Sequence, residues 1–388
     1  MSKAKMTSRE RILAALQMQP VDRIPFSPLI DTYTLMEMPP EIVGSSPMPI
    51  FNPETHVAAA RALGCDIMAR HVISAASSSS GAPHLESLGR FDASVEAKAE
   101  FDAGRLIETI TTPVGTINGV WQFTDKVGWI PHMVKHPVST YEELKIFHSA
   151  VEHLDPEPPA ISYDAFLDID ASIGDDGIAT ASLSNTPLMY LIEMAWGLES
   201  TYYLLQDHPD EVEDILAKLR ASLARHAQAL ADGPAQVVIQ YENTSSTLLS
   251  PDIFRRYCLP CLNECANIIM NAGKIFLVHM CGKLSAFTDD IAQGQFMGVC
   301  DIPPPPTGDL PLDEAKKRMP EKVVVGGIDP TTFLSHDTPL LKKEITGLIE
   351  RIKPHRGVML GSADTAPRGT PPENFQLIRE LVETVGAY

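Results

Sequence analysis

Short apolar runs alternate with helix-sized segments along almost the whole chain. Several runs are nearly continuous in β-branched residues, such as Val237-Val238-Ile239 and Val323-Val324-Val325, which is typical of parallel strands buried on both faces. Eight such strands separated by helices predict an α/β fold of the (β/α)8 TIM-barrel class. The expected strands are 25–30, 66–73, 178–184, 236–242, 274–280, 297–301, 322–327 and 357–361, and the expected helices include 188–205, 209–231, 251–272, 283–293, 311–318, 338–352 and 371–385.

The length of 388 residues suits one large barrel, so we expect a single domain over residues 1–388. Residues 74–177 are too many for a barrel connection and predict an insertion after the second strand. Alternation between Ser87 and Trp129 makes this insertion β-rich, with two or three antiparallel strands, and it is either a lid or docking element or a tolerated surface addition. A doubly wound open sheet is the other fold considered, but its glycine-rich dinucleotide turn is missing.

Charge and cysteine content exclude several classes of protein. The net charge of −19 argues against a nucleic-acid partner, because phosphate binding needs clustered lysine and arginine. No run of 18 apolar residues occurs, so no membrane span is expected. Six cysteines do not make a disulfide framework, and no apolar signal core follows Met1. These features predict a cytoplasmic protein with reduced thiols.

Polar residues gather at the carboxyl ends of the predicted strands, which is where barrels carry their chemistry. We interpret Glu242 and Asp364 as candidate catalytic residues for proton handling or substrate positioning, with a structural role at the barrel rim as the alternative. The candidate substrate-binding residues are Asp31, His71, Asn185, Tyr241 and Ser362.

A histidine and a cysteine at the end of the fifth predicted strand indicate a metal site. His279 and Cys281 are two residues apart and point to the same side, and Gly282 lets the chain turn away. An imidazole and a thiolate are ligands that zinc accepts, and a catalytic zinc needs a third. Cys300, at the tip of the next strand, is the first candidate, and the competitors are Ser362, Asp364 and Glu242. Sulfur donors favour transfer of an alkyl group over hydrolysis, since they keep a bound thiolate electron-rich.

Motifs spread over nearly the whole chain resemble the uroporphyrinogen decarboxylase superfamily, and within it the branch of corrinoid-linked methyltransferases that includes methylcobamide:coenzyme M methyltransferase. They are Arg9-Glu10-Arg11-Ile12-Leu13-Ala14-Ala15-Leu16 with Val21-Asp22-Arg23-Ile24-Pro25, Leu249-Ser250-Pro251-Asp252-Ile253-Phe254, His279-Met280-Cys281-Gly282, Gly327-Ile328-Asp329-Pro330 and Gly369-Thr370-Pro371-Pro372-Glu373-Asn374. In that branch the residues matching His279 and Cys281 bind zinc. The branch's third ligand is a cysteine where this chain has Ser362, so Cys300 or Asp364 would replace it, or the metal site is lost.

The resemblance implies a zinc-dependent methyltransferase. It would move a methyl group between a small methylated ether, amine or thiol and the corrinoid of a partner protein, as in O-demethylase or methylcobamide:thiol methyltransferase systems. The chain lacks a D-x-H-x-x-G segment, so the cobalamin is expected on that separate corrinoid protein.

The alternative is a cofactor-independent decarboxylase or lyase that uses Asp31 or Asp329 with Arg70 and Arg368. The porphyrinogen-binding arginine motif of the decarboxylase itself is absent after the first strand. A third hypothesis is a binding subunit that delivers a ligand without turnover.

Overall fold

A mostly parallel sheet surrounded by helices forms the main body of the chain. The computed structural model describes residues 5–30, 32–43, 52–74, 89–124, 131–155, 157 and 160–388. The parallel strands are β1 Ile67–Ser74, β6 Gly177–Leu183, β7 Val237–Tyr241, β8 Ile275–His279, β9 Gly298–Ile302, β10 Val323–Ile328 and β11 Val358–Ser362. They form a seven-stranded sheet in the order β1-β6-β7-β8-β9-β10-β11. This architecture confirms the predicted α/β class.

The first predicted strand, residues 25–30, is reduced to a single bridge. Phe26 pairs in parallel with Leu360 of β11, and the amide of Ser27 donates to the Leu360 carbonyl at 2.9 Å. On the other side, the amide of Asp66, just before β1, donates to the Phe26 carbonyl at 2.9 Å. Pro25 and Pro28 have no amide hydrogen, which explains why no longer ladder forms here. The segment therefore contacts both edges of the sheet, as in a TIM-like barrel.

Side chains on one face of the sheet, here called the inner face, form a single apolar cluster. Its members are Met68, Ile178, Val237, Ile239, Ile275, Leu277, Cys300, Val323, Val325 and Met359, joined by Ile12, Ala15 and Leu16 of helix α1 (Ser8–Leu16). Since all seven strands contribute to one cluster, the sheet curls around it. The intervening residues, such as Val238 and Phe276, pack on the outer face against the helices in a second, larger cluster.

Between β1 and β6 the chain builds a separate antiparallel sheet. Its strands are β2 Glu96–Asp102, β3 Arg105–Thr112, β4 Gly115–Gln122 and β5 His132–Lys135, paired in that order. Ala103 and Gly104 both have positive φ, as a two-residue hairpin turn requires. The sheet lies within the predicted insertion 74–177 and has four strands where two or three were expected.

Helices connect the parallel strands. They are α1, α2 Thr32–Met36, α3 Pro40–Val43, α4 Pro53–Leu63, α5 Tyr141–Glu152, α6 Asp164–Ile173, α7 Pro187–Tyr190, α8 Leu198–Asp207, α9 Pro209–Asp232, α10 Pro251–Ile253, α11 Leu259–Asn271, α12 Thr288–Gln293, α13 Leu312–Arg318, α14 Thr338–Ile352 and α15 Pro372–Thr384. The predicted helix 188–205 contains a π-helical turn at Leu191–Ala195 and breaks at Gly197, where φ is +76°. A second π-helical turn, Phe254–Cys258, interrupts the predicted helix 251–272 and joins α10 to α11. None of the helices within the described ranges combines the length and apolarity needed to cross a membrane.

Candidate active site

Three side chains at the carboxyl ends of β8 and β9 form a buried cluster that could hold a metal ion. The ligand atoms of His279, Cys300 and Asp301 all lie within 4.8 Å of one another. Each of these residues is at most 5% exposed. The sequence places His279 and Cys300 on neighbouring strands, and their pairing in the β8–β9 ladder brings them side by side.

An irregularity in β9 allows two consecutive residues to reach this cluster. Asp301 has a φ of +66°, and the register of β9 against β10 shifts between Val324 and Gly326. In a regular strand Cys300 and Asp301 would face opposite sides of the sheet. The bulge instead puts the Cys300 thiol and the Asp301 carboxylate beside the same imidazole.

The Asp301 carboxylate is fully engaged by two cationic partners. Nη2 of Arg70 donates to its Oδ1 at 2.8 Å, Nη1 of Arg70 contacts its Oδ2, and Nδ1 of His279 lies 2.5 Å from that same Oδ2. Burial would raise the pKa of Asp301, but Arg70 and His279 hold it well below its usual range. Because β1 and β9 are separated by three strands, the Arg70–Asp301 pair crosses the interior of the curled sheet. Asp301 therefore fixes Nδ1 of His279 and leaves Nε2 as the remaining ligand atom.

The two cysteines of the predicted metal site differ in environment. Cys300 is completely buried, which raises the pKa of its thiol. Cys281 is half-buried, and its Sγ lies 3.7 Å from Oδ1 of Asn243. It is outside the group of three. Burial lowers the pKa of His279, and of the neighbours that raise it, Cys281 has the largest effect. The assignment of His279, Cys281 and Cys300 as zinc ligands remains a prediction.

Two aromatic rings lie beside His279. The ring of Tyr241 is 5.0 Å from that of His279 and stacks on His71 at 4.1 Å. The phenolic oxygen of Tyr241 is buried and has no hydrogen-bond partner in the described part of the chain. His71 adopts a left-handed backbone conformation, and its Nδ1 lies 3.0 Å from the hydroxyl of Ser182. The structure thus brings two predicted substrate-binding residues to the cluster.

Glu242 lies away from the cluster. Its side chain is fully buried on the outer face of the sheet, where the Thr186 amide and hydroxyl each donate to its carboxylate at 2.7 Å. Burial raises the pKa of Glu242 to about 8. Its amide donates to the His279 carbonyl, but no described contact joins its carboxylate to the metal candidates. A catalytic role for Glu242 therefore stays a prediction, and its carboxylate contacts Thr186 at the start of α7 and the thiol of Cys258.

The remaining predicted residues are not part of the group of three. The Ser362 hydroxyl is buried and accepts a hydrogen bond from the Leu29 amide at 2.7 Å. Asp364 is half-buried and accepts one from the amide of Thr365 at 2.7 Å. Asp31 lies outside the described residues.

Glu193 is a site residue that the sequence pattern did not reveal. It lies on the π-helical turn above the sheet, and its Oε2 accepts hydrogen bonds from the side-chain amides of Asn185 at 2.8 Å and Asn243 at 3.0 Å. Burial raises the pKa of Glu193 to about 7. Asn185 was expected in the substrate site. Asn243 directly follows the predicted strand 236–242 and could have been found from that position, whereas nothing in the helical pattern marks Glu193.

Parallel strands flanked by helices, with polar side chains converging from the ends of β1, β6, β7, β8 and β9, define an α/β protein with its candidate site at the carboxyl edge of the sheet, where this class binds ligands. The chain belongs to the uroporphyrinogen decarboxylase family: the family model described as "Uroporphyrinogen decarboxylase (URO-D)" matches residues 93–387. The superfamily resemblance is thereby confirmed. A search of curated proteins found no significant match.

Among solved structures, the chain is similar to a methyltransferase from Methanosarcina mazei. The sequences are 19% identical, the match covers 98% of this chain and 99% of the other, and the TM-score is 0.64. At this level of identity the similarity establishes the fold.

Proposed function

We propose that the chain is a zinc-dependent methyltransferase on a single TIM-like barrel. It would transfer a methyl group between a small methylated substrate and the corrinoid of a partner protein. The observation that carries this proposal is the buried contact between the His279 imidazole and the Cys300 thiol at the carboxyl edge of the sheet. Asp301 orients the imidazole in this contact. Family membership and the similar fold of a methyltransferase support it.

The donor set fits zinc. His279, Cys281 and Cys300 would hold the ion, and Asp301 would orient His279, since metal-binding histidines commonly donate their other nitrogen to a carboxylate. Beside His279 the buried phenolic oxygen of Tyr241 has no hydrogen-bond partner among the described residues, so it could contact a group bound at this site. Zinc bound there would supply a Lewis acid that activates a thiol or polarises the heteroatom carrying the methyl group.

The protein's own residues would bind the substrate and exclude water. The stacked rings of His71 and Tyr241 offer an apolar wall with one buried hydroxyl donor. Asn185 supplies an amide at the end of β6. In this scheme Asp31, Ser362 and Asp364 would complete the pocket or its rim, and the corrinoid protein would dock over the same edge.

Contacts in the structure disfavour two of the residues named for the decarboxylase or lyase alternative, which uses Asp31 or Asp329 with Arg70 and Arg368. Both terminal nitrogens of Arg70 contact Asp301. The oxygens of Asp329 accept hydrogen bonds from Thr331 and from the Thr307 amide. These groups are already satisfied within the protein.

Metal analysis combined with a methyl-transfer assay tests the proposal. We expect near-stoichiometric zinc in the purified protein and methylation of reduced cobalamin, followed by absorbance, with at least one methyl ether, amine or thiol. His279→Ala should lose both metal and activity, whereas the exposed control His336→Ala should keep both. Activity that survives strong chelation and needs no corrinoid, or a His279→Ala protein that keeps its metal and its activity, contradicts the proposal.

A further inference from the structure

The two carboxylate oxygens of Glu193 have different surroundings. Oε2 accepts hydrogen bonds from the side-chain amides of Asn185 and Asn243, while no described residue donates a hydrogen bond to Oε1. The side chain is half-buried, so Oε1 is held in place with no hydrogen-bond donor among the described residues. Two hydrogen bonds on one oxygen fix the group, and the other oxygen remains for a ligand.

The residues that hold Glu193 connect it to the candidate metal site. Asn185 follows β6, and Asn243 follows β7 in a left-handed conformation with φ +54°. The backbone amide of Asn243 donates to the His279 carbonyl at 3.1 Å, and its Oδ1 lies 3.7 Å from Sγ of Cys281. Asn243 thus bridges the Glu193 carboxylate and the Cys281 thiol, which puts Glu193 beside the reacting centre without making it a ligand.

The charges around Glu193 leave it able to exchange a proton at neutral pH. No lysine or arginine in the described part of the chain forms an ion pair with it. Burial raises its pKa to about 7, against the lowering effects of Asn243, Asn185 and, at longer range, the charge of His279. The carboxyl group of Glu242 is the other titratable neighbour, and its own pKa is raised by burial and by Glu193. A carboxyl group in this range is suited to give and to take a proton.

We propose that Glu193 is the acid–base residue of this site and exchanges a proton with the substrate heteroatom through Oε1. The inference rests on the proposed function. When a thiol accepts a methyl group from methylcobalamin, its S–H bond breaks, the electron pair stays on sulfur and the proton passes to Glu193. The sulfur–carbon bond forms as the cobalt–carbon bond breaks, with that pair left on cobalt. In the reverse direction the same carboxyl returns the proton to the leaving heteroatom.

Glu193→Gln tests this role, because glutamine keeps one oxygen for both asparagines and puts an uncharged NH2 group, which does not exchange a proton with substrate at neutral pH, in place of Oε1. Glu199→Gln, at an exposed position in α8, is the matched control. The probes are methylcobalamin as donor and two acceptors, ethanethiol, which must lose a proton, and pentafluorothiophenol, which is already ionised at neutral pH. We expect Glu193→Gln to slow transfer to ethanethiol by about 10²–10⁴-fold. Transfer to pentafluorothiophenol should change little, and Glu199→Gln should match the wild type with both thiols.

Two further readouts separate proton exchange from a structural role. The wild-type rate with ethanethiol should rise with pH through the pKa of Glu193, because the ionised form is the base, and this rise should be absent in Glu193→Gln. Infrared difference spectra of the protein alone should show protonated carboxyl bands from Glu193 and from the buried Glu242. The band that disappears around neutral pH in the wild type and the control should be absent in Glu193→Gln, whereas the Glu242 band should remain in all three proteins.

Each outcome decides between the hypotheses. Equal slowing of both thiols, or no slowing, overturns the role of Glu193, as does an infrared band that still disappears around neutral pH in Glu193→Gln. If the wild type transfers methyl groups normally while Glu193→Gln matches it, only the Glu193 inference fails. If the zinc-loaded wild type transfers to neither thiol and to none of the substrates in the cobalamin assay, the proposed function itself fails, and the Glu193 inference with it.

Discussion

Replacing Asp301 with asparagine should destabilise the protein far more than breaking an exposed ion pair. Asp301 and Arg70 each have about 1% of their side chains exposed, so the substitution leaves a guanidinium buried without its counter-charge. Such a loss costs about 3–5 kcal/mol, a large share of the roughly 5–15 kcal/mol that stabilises a typical native protein. Asparagine tolerates the positive φ at this position, so the backbone can be kept while the side chain loses its charge and one acceptor oxygen.

Urea denaturation followed by circular dichroism measures this effect. The exposed pair Arg61–Asp176, with side chains 47% and 56% exposed, gives the matched control, and Asp176→Asn should cost about 0–1 kcal/mol. The double variant Arg70→Met/Asp301→Asn should be less destabilised than the sum of its single variants by about 0.5–3 kcal/mol, because it strands neither charge. Additive single effects, or an Asp301→Asn variant no weaker than Asp176→Asn, would refute the reasoning.

Three further predictions concern metal, pH and thiols. Asp301→Asn should also lower zinc affinity about 10–100-fold in a chelator competition, because His279 loses its orienting acceptor; unchanged affinity counts against that role. Burial lowers the pKa of His226 to about 4 from 6.5, so only the unfolded chain takes up this proton as the pH falls, and stability should decrease by roughly 3 kcal/mol between these values. His226→Gln should flatten this pH dependence of the urea midpoint, and a slope equal to that of the wild type is the contrary result. In metal-free folded protein, iodoacetamide should label the half-buried Cys281 before the buried Cys300 by mass spectrometry; the reverse order would contradict the burial described here.

The parallel strands could be located from the sequence because burial on both faces demands continuous apolar residues. The expected strands 236–242 and 274–280 match β7 Val237–Tyr241 and β8 Ile275–His279 within one residue at each end. The segment 25–30 differs because two prolines remove amide donors, a loss that its apolar composition does not reveal. The interruptions of two helices also escaped the pattern, since a π-helical turn keeps helical composition while shifting the phase.

The candidate site was predictable where it depends on strand ends and unpredictable where it depends on tertiary contacts. His279 and Cys300 come together because neighbouring parallel strands end at the same edge. Asp301 also stands at a predicted strand end, but it reaches the same side as Cys300 only through a bulge, which no local residue preference indicates. Glu193 is placed by the π-helical turn and by two asparagines that follow different strands, so the role proposed for it depends on long-range packing that sequence spacing does not contain.

The position of helix α1 affects the order in which reactants can bind and leave. The side chains of Ile12, Ala15 and Leu16 pack into the inner cluster and close the amino-terminal end of the curled sheet. Under the proposed function, the small substrate would enter and leave at the opposite, carboxyl end of the strands, which the docked corrinoid protein would also cover. Turnover with such a partner should follow a compulsory order, with the small reactant entering before the protein arrives and departing after it has gone.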